Sequence, residues 1–434
     1  MSETKLEPAS SDPRAQPPRP KLSEIIGPGL ITGASDDDPS GIATYSQVGA
    51  QFGYALGWTL ILTYPLMCAI QQISADVGRV TGRGIAGNLR RCCPATLMYG
   101  LVGLLLVANI INIAADLGAM AAALKLLIGG PALIYVAGFA IVTILLETFV
   151  RYSRYVSVLK WLTLSLFAYV ATLFIVAIPW ARVGLQLVVP HISYTKDYVV
   201  AIVAVFGTTI SPYLFFWQSE EEVEDVLERP AASPLRIAPA QAPLELRRIR
   251  LDTYVGMAFS NIIALCIVVT AAATLNAHGK TDIETSSQAA EALRPIAGQF
   301  AFATFALGII GTGLLSVPVL AGSAAYALGE ASLWPVGLAQ RPRRAKAFYA
   351  TIAIATGIGV VLNFSHLDPV KALFWSAVVN GVAAAPIMAA IMLIASRKDV
   401  MGTFGLSMPL RIAGWLATAV MGAATIGMFA SMLP

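Results

Sequence analysis

The residues with the clearest chemical potential form an acidic run inside an otherwise apolar stretch: Asp36, Asp37 and Asp38. Apolar segments flank the run on both sides, at residues 25–32 and 42–52. A carboxylate is costly to place in such surroundings, so an ionisable side chain within an apolar segment of membrane length indicates a functional site. Because carboxylate oxygens bind hard cations well, the run predicts a cation site.

The three residues that follow the run interrupt any regular helix. Pro39 lacks a backbone donor and clashes with the preceding turn, and Gly41 costs about 1 kcal/mol in a helix interior. The result is two half-helices with an unwound middle. Backbone of this kind is tolerated at membrane depth only where it lines a cavity or is buried in protein.

A second apolar stretch carries a similar interruption. Gly207 and Pro212 bracket four residues: Thr208, Thr209, Ile210 and Ser211. Paired interrupted helices at corresponding positions of two halves are typical of transporters whose substrate lies between two repeats. The two breaks together predict one cation site shared by two helices. A pair of proline kinks without function is the alternative.

The composition requires many membrane-spanning helices around these breaks. Of the 434 residues, 57% are hydrophobic and only 12% are charged, whereas soluble domains carry roughly 25% charged residues. A span needs about 20 mostly apolar residues. Eleven segments are expected to span the membrane, at residues 25–52, 54–75, 95–127, 131–146, 156–179, 198–226, 254–275, 300–326, 347–362, 370–395 and 412–432.

The distribution of basic residues supports these eleven spans. With the N-terminus in the cytoplasm, 23 of the 29 lysines and arginines fall in predicted cytoplasmic segments, where basic residues concentrate in membrane proteins. The C-terminus then lies outside. Compact loops and the lack of an apolar signal region favour a multi-pass protein of the bacterial inner membrane. Its expected partner is the lipid bilayer, a monomer is the favoured state, and the net charge of +4 is too small to suggest nucleic-acid binding.

The chain divides into four expected parts. Residues 1–22, rich in proline, serine and charge, form a disordered cytoplasmic tail. Residues 23–180 and 196–396 form two five-helix repeats of inverted topology, and residues 410–432 form a last helix. The predicted fold class is an all-α integral membrane protein with its first and sixth helices unwound in mid-membrane.

Two further polar features have more than one interpretation. Asn380, in the tenth span, either faces the site and holds a metal-bound water or joins two helices. An acidic run at residues 220–225 opens the longest predicted cytoplasmic loop, at about residues 220–250. This run is interpreted as a solvated helix end followed by a linker, or as a vestibule that attracts cations.

At the two breaks the sequence resembles the Nramp family of divalent metal transporters, and the likeness extends from about residue 21 to residue 395. The Gly27-Pro28-Gly29 entry to the first span belongs to it. The family's Asp-Pro-Gly-Asn corresponds to residues 38–41, and its Met-Pro-His corresponds to residues 211–213. The resemblance implies a LeuT-like fold with a metal held between the breaks by Asp38, Gly41, Ser211 and the carbonyl of Thr208.

The departures from the family pattern alter the expected chemistry. Only Asp38 keeps the family's ligand type, since Gly41 replaces an asparagine and Ser211 replaces a methionine. A thioether favours transition metals, so its loss removes that preference. Small side chains, including Ser40, are expected to widen the cavity for a partly hydrated Mg²⁺. The pattern is similar to that of the Nramp-related magnesium transporters. Thr209, Asp36 and Asp37 are further candidates near the ion.

The resemblance also bears on proton coupling. The family's Asp-Leu-Ala-Glu corresponds to residues 116–119, in which Asp116 is kept and Ala119 replaces the glutamate. Tyr213 replaces the family's histidine and is a much poorer proton carrier near neutral pH. We therefore expect uncoupled transport. Asp116 is interpreted as a structural partner, as a residue beside the ligands, or as part of a residual proton path.

Together these features predict a transporter of Mg²⁺, and also of Mn²⁺, that works by alternating access without proton coupling and without a cofactor. One alternative is a proton-coupled Mn²⁺ or Fe²⁺ importer, against which the missing methionine and glutamate argue. Another is a sodium-coupled transporter of an organic solute, whose carboxylate the three aspartates would repel. The sequence holds no nucleophile–base pair or phosphate loop, so we do not expect an enzyme.

Overall fold

The computed structural model of the protein describes residues 32–33, 35–150, 166–190, 192–229, 231–283, 285–365 and 368–433, apart from the side chains of residues 296, 297 and 299. Within these ranges the chain forms helices joined by turns, and no strand occurs in them. The expected tail at residues 1–22 and the glycine-proline-glycine entry at residues 27–29 lie outside the described residues.

In the described part of the first half of the chain there are seven α-helices. They are α1 (Pro39–Phe52), α2 (Gly57–Thr81), α3 (Ile85–Cys92), α4 (Ala95–Ile128), α5 (Ala132–Phe149), α6 (Phe167–Thr172) and α7 (Trp180–Val188). Residues 32–33 and 35–36, before α1, are also helical.

The second half begins with α8 (Lys196–Thr209) and α9 (Pro212–Glu228), which are followed by α10 (Ala242–Thr274), α11 (Ser286–Glu291), α12 (Arg294–Ala297), α13 (Ala301–Ser332), α14 (Lys346–Leu362), α15 (Pro369–Ala395), α16 (Lys398–Met401) and α17 (Met408–Met432). Single 3₁₀ turns occur at Pro239–Gln241, Asn276–His278, Gly298–Phe300 and Asn363–Ser365.

Nine of the described helical segments are long and apolar enough to cross a membrane, if α8 and α9 are taken as one span. They correspond to nine of the eleven predicted spans. The other two predicted spans, at residues 25–52 and 156–179, extend into residues 1–31 and 151–165, which lie outside the described residues. The chain is thus a multi-pass membrane protein.

The largest error in the predicted boundaries is at the seventh span. Its helix, α10, begins at Ala242 and not at residue 254, so the predicted loop at residues 220–250 shrinks to residues 229–241. The prediction stopped at the charged residues Glu245 and Arg248, which lower the hydropathy of this segment. These side chains are buried and paired with each other, which allows the helix to continue through them.

Their partners form a network of three arginines and three carboxylates: Arg79, Glu222, Asp225, Arg229, Glu245 and Arg248. Arg79 Nη1 lies 3.1 Å from Asp225 Oδ2, and Arg79 Nη2 lies 3.2 Å from Glu245 Oε2. Glu222 is buried and pairs with Arg248. The acidic run is therefore not the solvated helix end that the sequence suggested. Part of it belongs to a charge-balanced network that joins α2, α9 and α10.

The helices after the two breaks pack in equivalent ways. α1 packs along α10, and α9 packs along α2. In both pairs the backbones touch: a Cβ on Gly49 would lie 2.4 Å from the carbonyl oxygen of Val268, and a Cβ on Gly78 would lie 2.1 Å from that of Ser219. Exchanging α1 with α9 and α2 with α10 turns one pair into the other, as two related repeats require.

Candidate cation site

The first break lies at the acidic run. Asp38 is the N-cap of α1 and has extended backbone (φ −68°, ψ 170°), while Pro39 takes the first helical position. Aspartate at the N-cap and proline directly after it both favour a helix start. Asp38 Oδ1 accepts hydrogen bonds from Gly41 N at 2.7 Å and from Ser40 Oγ at 2.8 Å. The sequence thus starts a helix in mid-membrane with a carboxylate at its N-terminus.

The second break is short. α8 ends at Thr209 and α9 begins at Pro212, with Ser211 as an extended N-cap residue (φ −77°, ψ 128°). Ser211 Oγ lies 2.9 Å from the carbonyl oxygens of both Gly207 and Thr208 and donates to them. A carbonyl oxygen has two lone pairs, so this contact leaves Thr208 able to accept a second partner. The carbonyl end of α8 carries partial negative charge, which favours a cation.

The two breaks meet at Gly41. A Cβ on Gly41 would lie 3.2 Å from Thr208 Oγ1, and 3.4 Å from both the carbonyl oxygen of Asp36 and Asp38 Oδ1. Three oxygen atoms from two broken helices therefore surround this point, and Asp38, Thr208 and Ser211 are each at most 2% exposed. A side chain at position 41 would therefore contact these oxygens, while the wide cavity that the sequence suggested stays a prediction.

The second oxygen of Asp38 faces two other helices. Asp38 Oδ2 accepts from Asn112 Nδ2 of α4 at 3.0 Å and from the hydroxyl of Tyr213 of α9 at 3.4 Å. The same hydroxyl lies 3.2 Å from the carbonyl oxygen of Ser35 and binds both halves of the first broken helix. Sequence reasoning proposed Tyr213 but missed Asn112, although an amide one turn before Asp116 in an apolar helix was an available signal.

Asp36 and Asp37 contact a different helix from Asp38. Ser260 Oγ of α10 lies 2.6 Å from Asp36 Oδ2 and 3.1 Å from Asp37 Oδ1. All three carboxylates are buried. The acidic run therefore divides between a side that faces α4 and α9 and a side that faces α10. Ser260 was also missed, since a lone serine in an apolar helix carries no distinctive pattern.

The remaining candidates lie on three helices. Asp116 Oδ2 accepts from Ser316 Oγ of α13 at 2.9 Å, a contact that agrees with the structural-partner interpretation. Thr209 Oγ1 donates to the carbonyl oxygen of Val205 in its own helix at 2.8 Å. Asn380 is fully buried, and among the described residues neither its amide nitrogen nor its oxygen has a hydrogen-bond partner.

The described residues contain no group of three or more histidine, cysteine, aspartate or glutamate side chains arranged to hold a metal. The oxygen atoms gathered at the breaks come instead from the Asp38 carboxylate, from three hydroxyls (Ser40, Thr208 and Ser211) and from the backbone. Such a set binds hard cations by mixed ligation.

A helical membrane protein with two broken helices and a buried carboxylate between them has the architecture of a LeuT-like transporter. The family model of the natural resistance-associated macrophage protein-like proteins (Nramp) matches residues 29–431. The chain belongs to the Nramp family.

Curated relatives match over most of their length. The divalent metal cation transporter MntH of Burkholderia ambifaria is 28% identical over 417 residues, which cover 92% of this chain and 87% of the relative. The protein of the same name from Acidiphilium cryptum is 26% identical over 416 residues, which cover 93% of this chain and 88% of the relative.

Solved structures agree on the fold. A manganese transporter of Eremococcus coleocola superposes with a TM-score of 0.71 at 17% identity and covers 94% of this chain and 86% of its own. Mhp1, a nucleobase-cation-symport-1 family transporter, superposes with a TM-score of 0.56 at 14% identity and covers 94% and 92%. These likenesses confirm the predicted LeuT-like fold.

Proposed function

We propose that this protein transports a divalent metal cation by alternating access and that the ion binds between the two breaks. The observation that carries the proposal is the Asp38 carboxylate, buried where the first break meets Thr208 of the second. A buried carboxylate beside freed backbone carbonyls suits a cation and repels an anion. The similarity to divalent metal cation transporters of other bacteria supports the same substrate class.

The ion's proposed ligands are oxygen atoms. Asp38 supplies the negative charge. The second broken helix contributes the carbonyl of Thr208 and the hydroxyl of Ser211, and Gly41 has no side chain that would occupy the space near these oxygens. Ser40 and Tyr213 hold Asp38 in place. Without a thioether, the site has no preference for soft transition metals. We infer that Mg²⁺ is the main substrate and that Mn²⁺, which also accepts oxygen ligands, enters as well.

We further infer that uptake is not coupled to protons. Ala119 has no titratable group, and Tyr213 carries a phenol that titrates near pH ~10 in water. Both positions therefore lack a group that exchanges protons near neutral pH. Proton-coupled manganese import is the second candidate. It is favoured by the structural similarity to the manganese transporter of Eremococcus coleocola.

Liposomes that contain the purified protein separate these two functions. With a magnesium-sensitive dye inside, we expect Mg²⁺ influx that needs no pH gradient, and with a pH-sensitive dye we expect no acidification of the lumen. Empty liposomes and an ionophore give the lower and upper limits. Mn²⁺ influx that acidifies the lumen, without Mg²⁺ influx, would favour the proton-coupled importer.

Replacing Ser211 by methionine tests the proposed selectivity. A thioether beside Asp38 adds a soft ligand, so Ser211→Met should raise the preference for Mn²⁺ over Mg²⁺ by about tenfold, the effect of about 1.4 kcal/mol. The measurement is competition of Mg²⁺ against Mn²⁺ uptake. Ser211→Leu has similar bulk without sulfur and serves as the control. Equal preferences in the two variants would mean that residue 211 does not contact the ion.

We propose that the transport unit consists of two inverted repeats, residues 23–180 and 196–396, followed by a last helix at residues 410–432. The equivalent packing of α1 on α10 and of α9 on α2 supports these repeats. We also propose a cytoplasmic N-terminus and an outer C-terminus, because the basic residues concentrate in the segments that this orientation places in the cytoplasm. A monomer in a bacterial inner membrane completes the proposal.

A further inference from the structure

Asn112 lies on a polar stripe of α4 that the motif comparison does not use. Asn109, Asn112 and Asp116 follow each other at spacings of three and four, so they share one face of the helix. Asn109 Nδ2 donates to the carbonyl oxygen of Leu320 at 2.9 Å, and Asp116 accepts from Ser316 at 2.9 Å. Both partners belong to α13, so this helix fixes α4 on either side of Asn112.

The amide of Asn112 has a hydrogen-bond partner at its nitrogen atom but none at its oxygen atom among the described residues. Its side chain is fully buried, and Nδ2 donates to Asp38 Oδ2 at 3.0 Å. In the part of the chain that the structure describes, Oδ1 has no hydrogen-bond partner. Burying an unsatisfied polar atom costs about 1–3 kcal/mol, so such an atom in a fixed position requires an explanation.

Position 41 is a glycine and supplies no amide to the same site. A Cβ there would already lie 3.2 Å from Thr208 Oγ1, which is tighter than ordinary van der Waals contact. Asn112 brings an amide to the same carboxylate from α4. An amide thus reaches the first break from a helix that has no break.

We propose that Asn112 is a direct ligand of the transported cation and binds it through Oδ1 beside Asp38. Asparagine carbonyls are common ligands of hard cations, and this one is buried on an amide whose nitrogen donates to the carboxylate. The inference rests on the proposed function, because it assumes that a cation binds at Asp38. It adds α4 to the two broken helices as a third element that contacts the ion.

The test is Mn²⁺ binding to the purified full-length protein in detergent, measured by isothermal titration calorimetry with Mn²⁺ alone. Asn112→Leu removes both ends of the amide, and we expect it to weaken binding by about tenfold or more. Asn112→Asp keeps an oxygen but loses the donor to Asp38, and we expect it to bind Mn²⁺ at least as tightly as the wild type. Asn109→Leu, which removes an amide bonded only to α13 groups, is the matched control and should bind like the wild type.

Each outcome decides one question. If the wild type binds neither Mn²⁺ nor, in a repeat titration, Mg²⁺, the proposed function fails and the ligand proposal fails with it. If the wild type binds and Asn112→Leu binds equally well, only the ligand proposal is overturned. If Asn112→Asp binds Mn²⁺ as weakly as Asn112→Leu does, the amide merely positions Asp38, and this result also overturns the ligand proposal. Thermal unfolding of each variant checks folding, and Asn112→Ala replaces the leucine variant if that variant does not fold.

Discussion

Replacing Asp38 by alanine should abolish cation uptake into liposomes. The variant removes the one carboxylate that lies where the two breaks meet, together with the hydrogen bonds from Gly41, Ser40, Asn112 and Tyr213. Removing even an outer partner of a metal ligand costs 10–100-fold, so we expect the initial rate of Mg²⁺ or Mn²⁺ uptake to fall by at least about 100-fold. The measurement is dye-reported influx at equal protein density.

Two further variants separate loss of charge from loss of structure. Asp38→Asn keeps an oxygen that accepts from Gly41, and asparagine caps a helix as well as aspartate does. We therefore expect it to fold like the wild type but to transport almost as poorly as Asp38→Ala. Asp37→Asn alters a carboxylate that faces Ser260, so this variant should lose much less of the transport rate than Asp38→Asn does. If Asp37→Asn and Asp38→Asn reduced the uptake rate equally, the cation would instead bind nearer to α10.

The positions of both breaks could be predicted from the sequence because local chemistry determines them. Aspartate followed by proline favours a helix start at any depth in a membrane. In the structure α1 begins at this pair of residues. Pro212 likewise marks the start of α9. The choice of Asp38, Thr208 and Ser211 as ligands came from the resemblance to the Nramp motifs at these breaks, and it stays a prediction.

The surroundings of the site could not be predicted in the same way. Asn112 contacts a residue 74 positions away, and Ser260 contacts residues more than 220 positions away. Such contacts depend on how helices pack, and in uniformly apolar helices no periodic pattern shows which face meets which neighbour. The extent of α10 was missed for a related reason, since hydropathy cannot distinguish a charged residue in water from one in a buried ion pair.

The ion-pair network is a part of the protein in which burial makes charged side chains important for stability. The side chain of Arg79 is 0% exposed and lies between Asp225 of α9 and Glu245 of α10. Arg248 pairs with Glu222 and lies 3.0 Å from Glu245. Because three positive and three negative groups share the cluster, removing one arginine leaves a carboxylate there without charge compensation.

We therefore expect Arg79→Ala to be strongly destabilising. Breaking a buried pair by removing one partner costs about 3–5 kcal/mol, mostly because the remaining charge stays buried. This is a large fraction of the stability of an ordinary domain. The measurement is thermal unfolding of the purified protein in detergent, in which the variant should unfold at a clearly lower temperature. Raising the salt concentration should narrow the difference only slightly, since buried pairs are weakly screened.

Arg397 provides the matched control for this variant. It forms an ion pair with Asp399 at 2.9 Å, but the two side chains are 47% and 64% exposed. Exposed pairs contribute little, so Arg397→Ala should leave the unfolding temperature almost unchanged. If the two alanine variants unfolded at the same temperature as the wild type, the network would not hold α2, α9 and α10 together. If Arg79→Ala alone is destabilised, the charges that sequence reasoning assigned to solvent are instead part of the structure that fixes α9, the helix that begins at the second break.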